Sequence, residues 1–416
     1  MRKAALLCVV VLMAPILSAQ QVDAPLTWSR ERAARIDAVF NQAVENNELP
    51  GAVLLVLLDG KPVYQQAFGW ADKESGRPMT TDALFRIASQ SKAITATAAM
   101  ILLEEGKLLL DEPVSKYVPS FAKTTVAVST PDGVDIVPAK RRITIRDLLT
   151  HTAGISYGTD ASVSKLYDAQ GLGPATGWGW YFADKTEPIC DSIDRLGALP
   201  FVAQPGERWV YGYGNDVMGC IIERISHQRL DAFIHDRITA PLNMHDTFFF
   251  VPPDKASRLA TVYAATDEGT VVRAPDGPKG QGDYVNGPRT SFSGGAGIIS
   301  TAGDYARFLE MIRRGGELDG VRILAPRTAE LLQVNLVGTL HGSNGMGYGL
   351  AFETTGWFGA NGLSSGGAFG WGGAYGSVYR VDPLDKLTMI FMMQVVPYRN
   401  DLREKFPNLV YQALVK

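Results

Sequence analysis

Histidine and cysteine are both scarce in this chain, with five and three among 416 residues. The histidines (His151, His227, His235, His245 and His341) form no H-E-x-x-H pair, and the cysteines form no C-x-x-C. Neither the zinc-protease nor the thiolate-zinc spacing is present, so no metal and no cofactor is expected. An excess of one charge is missing too: 40 Lys and Arg against 43 Asp and Glu leave a net charge of -3. That balance gives no reason to expect nucleic acid or an anionic membrane surface as a partner. Beyond the first residues no apolar run approaches the roughly 20 needed to cross a bilayer. Internal repeats and low-complexity tracts are also absent.

What is present begins with a targeting pattern. Arg2 and Lys3 precede an apolar run from Ala4 to Leu17, followed by the small pair Ser18-Ala19. The run is too short to anchor the chain, so residues 1–19 read as a cleaved secretory signal. The mature protein is then expected to be secreted or periplasmic. Cys8 leaves with the signal, and Cys190 and Cys220 remain. An oxidising compartment permits a disulfide between them. Two isolated cysteines are more often buried thiols, so the pairing stays open.

The mature chain changes character twice. Arg30 to Asn46 carries Ala33, Ile36, Val39, Phe40, Ala43 and Val44 at helical spacing. Ala52–Leu58, the pair Asp59-Gly60 and Lys61–Phe68 read as a β-hairpin on an Asp-Gly turn. From Leu108 to Arg314, Pro and Gly clusters alternate with short helical patterns: Thr144–Thr150, Val217–Ile225, and Thr301–Ile312 with Thr301 as its cap. Strands return at Gly347–Phe352, Ala374–Val381 and Lys386–Met393, and Leu402–Val415 reads as a closing helix. We expect one discontinuous α/β domain over 26–107 and 315–416, with a mainly helical domain over 108–314 inserted in it.

The chemistry concentrates at Ser89-Gln90-Ser91-Lys92, ahead of an Ala-, Leu- and Met-rich helix that stops at Gly106. Ser89 is expected in the first helical turn, with Lys92 three residues on and on the same face. Unpaired N–H groups and the helix dipole would stabilise an anion at Ser89. S-x-x-K alone is common by chance, and a serine cap beside a solvated lysine fits it as well. Two G-x-S-x-G strings, around Ser156 and Ser364, lack the strand–turn–helix context of a nucleophile elbow. Tyr211 lies in a loop after Pro205-Gly206, with Asp216 placed to cap the following helix. A phenol near a lysine ammonium would be easier to ionise and could accept the serine proton. In Trp371-Gly372-Gly373-Ala374, adjacent glycines let backbone approach a ligand.

Serine, lysine, tyrosine and a glycine-rich strand edge in this order resemble the serine β-lactamase and penicillin-binding-protein superfamily. More narrowly, the chain resembles the class C β-lactamases and the family VIII carboxylesterases. Leu148–Ile155, Pro241–Thr247 and Gly294–Tyr305 extend the likeness over nearly the whole mature chain. The resemblance implies an α+β fold: an antiparallel sheet flanked by N- and C-terminal helices, plus an inserted helical domain. It also implies Ser89 as acylated nucleophile, Lys92 and Tyr211 as proton-transfer partners, and the N–H groups of Ser89 and Ala374 as oxyanion hole. Tyr213, Trp371, Gly372 and Gly373 would then contact substrate. Two positions depart from the penicillin-recognising pattern: Tyr213 replaces the asparagine of Tyr-x-Asn, and Trp371-Gly-Gly replaces Lys-Thr-Gly. A cation and a hydroxyl for a substrate carboxylate are lost, each such bond contributing roughly 1.5–3 kcal/mol. The expectation is therefore a carboxylesterase for short-chain or neutral esters, acting on a small-molecule ester or amide. The alternative is a β-lactamase or D-amino-acid peptidase with the same machinery. A non-catalytic scaffold would be free to lose the three side chains, and all three are present.

Overall fold

The computed structural model describes residues 25–173, 185–277 and 280–416; residues 1–19, expected to be a signal, lie outside them. An antiparallel sheet of eight strands carries the fold. Its strands in chain order are β1 (Gly51–Leu58), β2 (Lys61–Asp72), β3 (Arg77–Pro78), β4 (Met346–Tyr348), β5 (Glu353–Thr355), β6 (Phe369–Gly372), β7 (Val378–Asp382) and β8 (Leu387–Met393). Their spatial order is β4-β5-β6-β7-β8-β1-β2-β3, so the last strand pairs with the first. Asp59 (φ 51°) and Gly60 (φ 77°) both lie in the left-handed region, as the two-residue β1–β2 turn requires.

β1 is apolar throughout because it is covered on both faces. Ala52, Leu54 and Val56 face one core; Val53, Leu55 and Leu57 face the other. On the first side lie α1 (Arg30–Glu45) and, from the far end of the chain, α5 (Leu402–Tyr411). Ser29 caps α1 by accepting from the Arg32 N–H, and Ala33, Ile36, Phe40 and Ala43 form its buried stripe. Phe40 meets Phe391 and Phe406 edge-on at 5.1 and 6.2 Å, which locks both terminal helices to β8. Truncating such a ring to alanine costs about 3–5 kcal/mol. α5 is shorter than expected: it ends at Tyr411, and Leu414–Val415 pairs with Thr27–Trp28.

The other face carries α2 (Ser91–Glu104), which is buried on nearly every side and so has little amphipathic character. α3 (Gly214–Ser226) packs beside it, and Cys190 and Cys220 are joined in a disulfide that ties Ile189–Leu196 to α3. α4 (Ala302–Arg313) belongs to this layer as well. Its buried Glu310 accepts from the Thr388 hydroxyl on β8 at 2.6 Å. The stretch 108–314, expected as a mainly helical inserted domain, also contributes to the layer packed on the sheet. It ends on a sheet-packing helix, and it contains a three-stranded sheet built from Thr125–Thr130, Gly133–Pro138 and Pro200–Phe201. Of the expected strand Gly347–Phe352 only Gly347 and Tyr348 are in a strand, β4; residues 349–352 form the turn into β5. Ala374–Ser377 is the turn between β6 and β7 rather than part of a strand.

Candidate active site

Ser89 sits in a 3-10 turn, Ala88–Gln90, immediately ahead of α2 rather than in its first turn. Ala88 takes φ 46°, a left-handed conformation that strains a residue with a β carbon. Two contacts hold this turn. The Ser91 hydroxyl accepts from the Ile298 N–H at 3.0 Å, and the Tyr305 hydroxyl donates to the Gln90 carbonyl at 2.9 Å. Ser89 is buried but keeps a small exposed surface at the floor of a cleft.

Lys92 is fully buried, and its amine has three oxygen neighbours. Nζ lies 3.2 Å from Ser89 Oγ, 2.9 Å from the Tyr157 hydroxyl and 2.7 Å from the Gly295 carbonyl. An ammonium would spend all three protons here; a neutral amine could accept the serine proton while still donating to Gly295. The Gly295 carbonyl is itself positioned by Asp216. That carboxylate accepts from the Ser293 hydroxyl at 2.5 Å and from the Gly295 N–H at 3.1 Å. A β carbon on Gly295 would stand 2.4 Å from Asp216 Oδ2, so only glycine allows this approach. Asp216 is thus not the helix cap expected of it. It lies inside α3 with its side chain turned to the lysine's support. Burial raises its carboxyl above the ordinary range, an effect that the nearby Lys92 charge and the two hydrogen bonds partly offset.

Tyr211 lies beneath the lysine rather than beside it, with Nζ 4.7 Å from the ring centroid. Its hydroxyl accepts from Trp371 Nε1 at 3.1 Å. The lysine's direct phenol partner is Tyr157, a residue that no sequence motif singles out. It stands in the Gly154-Ile-Ser-Tyr-Gly158 string dismissed as a nucleophile site, and only the fold brings it to Lys92. Its ring meets Tyr211 and Tyr213 edge-on at 5.6 and 4.9 Å. Tyr213 does not reach the cleft as a substrate contact. It is fully buried and donates to the Leu172 carbonyl at 3.0 Å, so it packs the wall behind Tyr157. His151 is buried against Tyr211 (4.7 Å), Trp209 and Tyr348. Burial, then the charges of Lys92 and His341, hold its imidazole well below the usual histidine range, so it is neutral.

The cleft has a volume of about 850 Å³, and Ser89, Tyr157, Tyr211 and Trp371–Ala374 all line it. Gly373 brings the end of β6 against the segment before Ser89, where a β carbon would stand 2.6 Å from the Ile87 carbonyl. Ala374, next in the chain, lines the same cleft as Ser89. The Gly373 N–H is committed to the Ser377 carbonyl at 2.8 Å. Arg403, which no local motif marks, reaches the cleft from α5. Its guanidinium occupies the space that a side chain at 372 would fill. It donates to the Tyr398 hydroxyl and makes no ion pair with a described carboxylate, and its buried Nε has no hydrogen-bond partner among the described residues.

The chain is similar to known proteins over most of its length. The Beta-lactamase family model matches residues 36–413. Protein Rv1367c of Mycobacterium tuberculosis is 35% identical over 381 residues, covering 86% of this chain and 89% of that protein. Esterase EstB of Burkholderia gladioli is 32% identical over 375 residues, covering 86% and 90%. Among solved structures, EstCE1, described as a hydrolase with promiscuous acyltransferase activity, superposes with TM-score 0.74 at 26% identity, covering 92% of this chain and 98% of that one.

Proposed function

Since this chain belongs to the Beta-lactamase family, we propose that it is a serine hydrolase that takes an acyl group onto Ser89 and transfers it to water, with carboxylic esters as substrates. The observation that carries this reading is the 3.2 Å approach of Lys92 Nζ to Ser89 Oγ at the floor of an open cleft. The esterases among its relatives support the substrate class.

In this mechanism the Ser89 proton passes to the Lys92–phenol pair as Oγ bonds to the ester carbonyl carbon. The N–H groups of Ser89 and Ala374 receive the oxyanion; losing one such donor typically lowers kcat about 100- to 1,000-fold. Collapse breaks the bond to the leaving oxygen, which takes the proton and departs as the alcohol. Water then gives its proton to the same pair, attacks the acyl carbon and releases the acid, and Oγ regains a proton. Hydrolysis of a short p-nitrophenyl ester tests the reading. Ser89→Ala abolishes it, and turnover near the parent rate by that variant would refute the assignment.

Arg403 favours a second reading. The absence of a cation in Trp371-Gly-Gly argued for neutral esters, yet an arginine without an acidic partner faces the same position. Substrates bearing a carboxylate, penicillins among them, then fit the cleft. Arg403→Gln lowers kcat/KM for an anionic ester more than for its neutral methyl ester, whereas equal losses would retain the neutral-ester reading. We also propose that the protein is exported. The Cys190–Cys220 disulfide supports an oxidising compartment, and an N-terminus of the mature protein near Gln20 is the expected observation.

A further inference from the structure

A second cavity, of about 350 Å³, lies between the segments 229–252 and 289–298 and shares no lining residue with the catalytic cleft. This volume falls at the lower end of the ~300–1,000 Å³ typical of small-molecule sites. Its floor is apolar and buried: Phe249, Phe250, Phe292 and Ile298. Phe292 makes T-shaped contacts with both other rings, at 5.5 and 6.0 Å, so ring packing fixes the aromatic surface. Protein interiors normally fill such space, and an aromatic hollow open to solvent is suited to an apolar guest.

The rim is cationic. Arg229 lies over Phe292 at 4.8 Å and Arg289 over Phe250 at 5.5 Å, both exposed. Arg229 is already paired with Asp231 through two hydrogen bonds. Arg289 differs: among the described residues it donates only to the Val251 and Val285 carbonyls, each at 3.1 Å, and makes no ion pair with a carboxylate there. Its backbone takes φ 54°, a strained conformation that carries the guanidinium to this edge. His235, also at the rim, bonds its neighbour Asp236. The surplus positive charge at the mouth is therefore that of Arg289.

We propose that this cavity is a binding site for an amphipathic monocarboxylate, with the apolar body on the phenylalanine floor and the carboxylate on Arg289. The site stands independently of the hydrolase reading. Phe292 and Ile298 flank the segment Ser293–Gly297, which holds the Gly295 carbonyl against Lys92. A ligand here would touch the support of the catalytic lysine from behind.

Calorimetric titration of the full protein with octanoate and with 1-octanol tests the proposal, with Arg289→Glu and Ala240→Phe as variants. Ala240 is exposed at the cavity wall, so the phenylalanine fills the mouth without displacing core. An unchanged melting temperature and far-UV circular dichroism spectrum establish that each variant is folded. Octanoate is expected to bind at least about tenfold more tightly than octanol, and each variant to weaken it by about tenfold or more. Equal binding of acid and alcohol, an affinity within about twofold of the parent in either folded variant, or no heat at about millimolar octanoate would overturn it.

Discussion

Replacing Tyr157 by phenylalanine separates the two phenols at the site. The ring contacts to Tyr211 and Tyr213 survive, and only the hydroxyl 2.9 Å from Lys92 Nζ is removed. A hydrogen bond involving a charged group is worth about 1.5–3 kcal/mol. If the lysine needs that bond in the transition state, kcat/KM falls roughly 10- to 150-fold. The loss should appear in kcat, because a group behind the lysine does not touch the substrate's distal parts. Losing one of three oxygen neighbours should also move the pH at which the rate begins to fall. The assay is a steady-state pH profile with p-nitrophenyl butyrate, run beside Tyr211→Phe. A Tyr157→Phe enzyme within about twofold of the parent, with the same profile, would refute a proton-handling role for this hydroxyl. The work would then rest with Tyr211, despite its hydroxyl being bound to Trp371.

Three further outcomes follow from particular contacts. The Cys190–Cys220 bridge closes 30 residues, and the chain-entropy account assigns such a loop about 3–4 kcal/mol. Denaturant unfolding of the double serine variant should show that loss with ester hydrolysis retained under native conditions; an unchanged midpoint would contradict it. His151 is held neutral in the fold while an unfolded histidine protonates near pH 6.5. Its contribution is present above that pH and is lost as pH falls, at up to ~1.4 kcal/mol per unit. His151→Phe should flatten the slope of stability between about pH 6.5 and 5, and an equal slope would contradict the assignment. Gly373→Ala should lower kcat by about tenfold or more while leaving Ser89 labelling by a fluorophosphonate measurable, because the new β carbon pushes the Ala374 N–H away from the oxyanion. A parental kcat would show that this N–H is not a donor.

The parts legible from sequence were those fixed by short-range rules. The Asp59-Gly60 turn set the first hairpin, and the apolar spacing in Arg30–Glu45 set α1. Thr301 capped α4 as expected, its hydroxyl accepting from the Asp304 N–H. The serine, the lysine and Trp371–Ala374 were readable because each is a short motif. Tyr157 and Arg403 were not, because nothing local distinguishes them: each acquires its role only when a distant segment lands on Lys92 or Gly372. Tyr213 misled for the same reason. Two residues from Tyr211 in the chain, it points into the core because the chain is already turning into α3. Asp216 read as a cap from its place after a loop, but burial and Ser293 draw its side chain inward. The boundary at Arg314 rested on a change of composition, whereas α4 packs by its buried face onto β8.

The central claim is a transient covalent bond between substrate and Ser89. Rapid-quench intact-mass analysis of the full protein with a slowly released ester tests it most directly. The account predicts a mass increase equal to one acyl group, located by peptide mapping to the segment containing Ser89, decaying at the rate of turnover and absent from Ser89→Ala. Hydrolysis with no adduct at any time, or an adduct that persists in the Ser89→Ala protein, would contradict it.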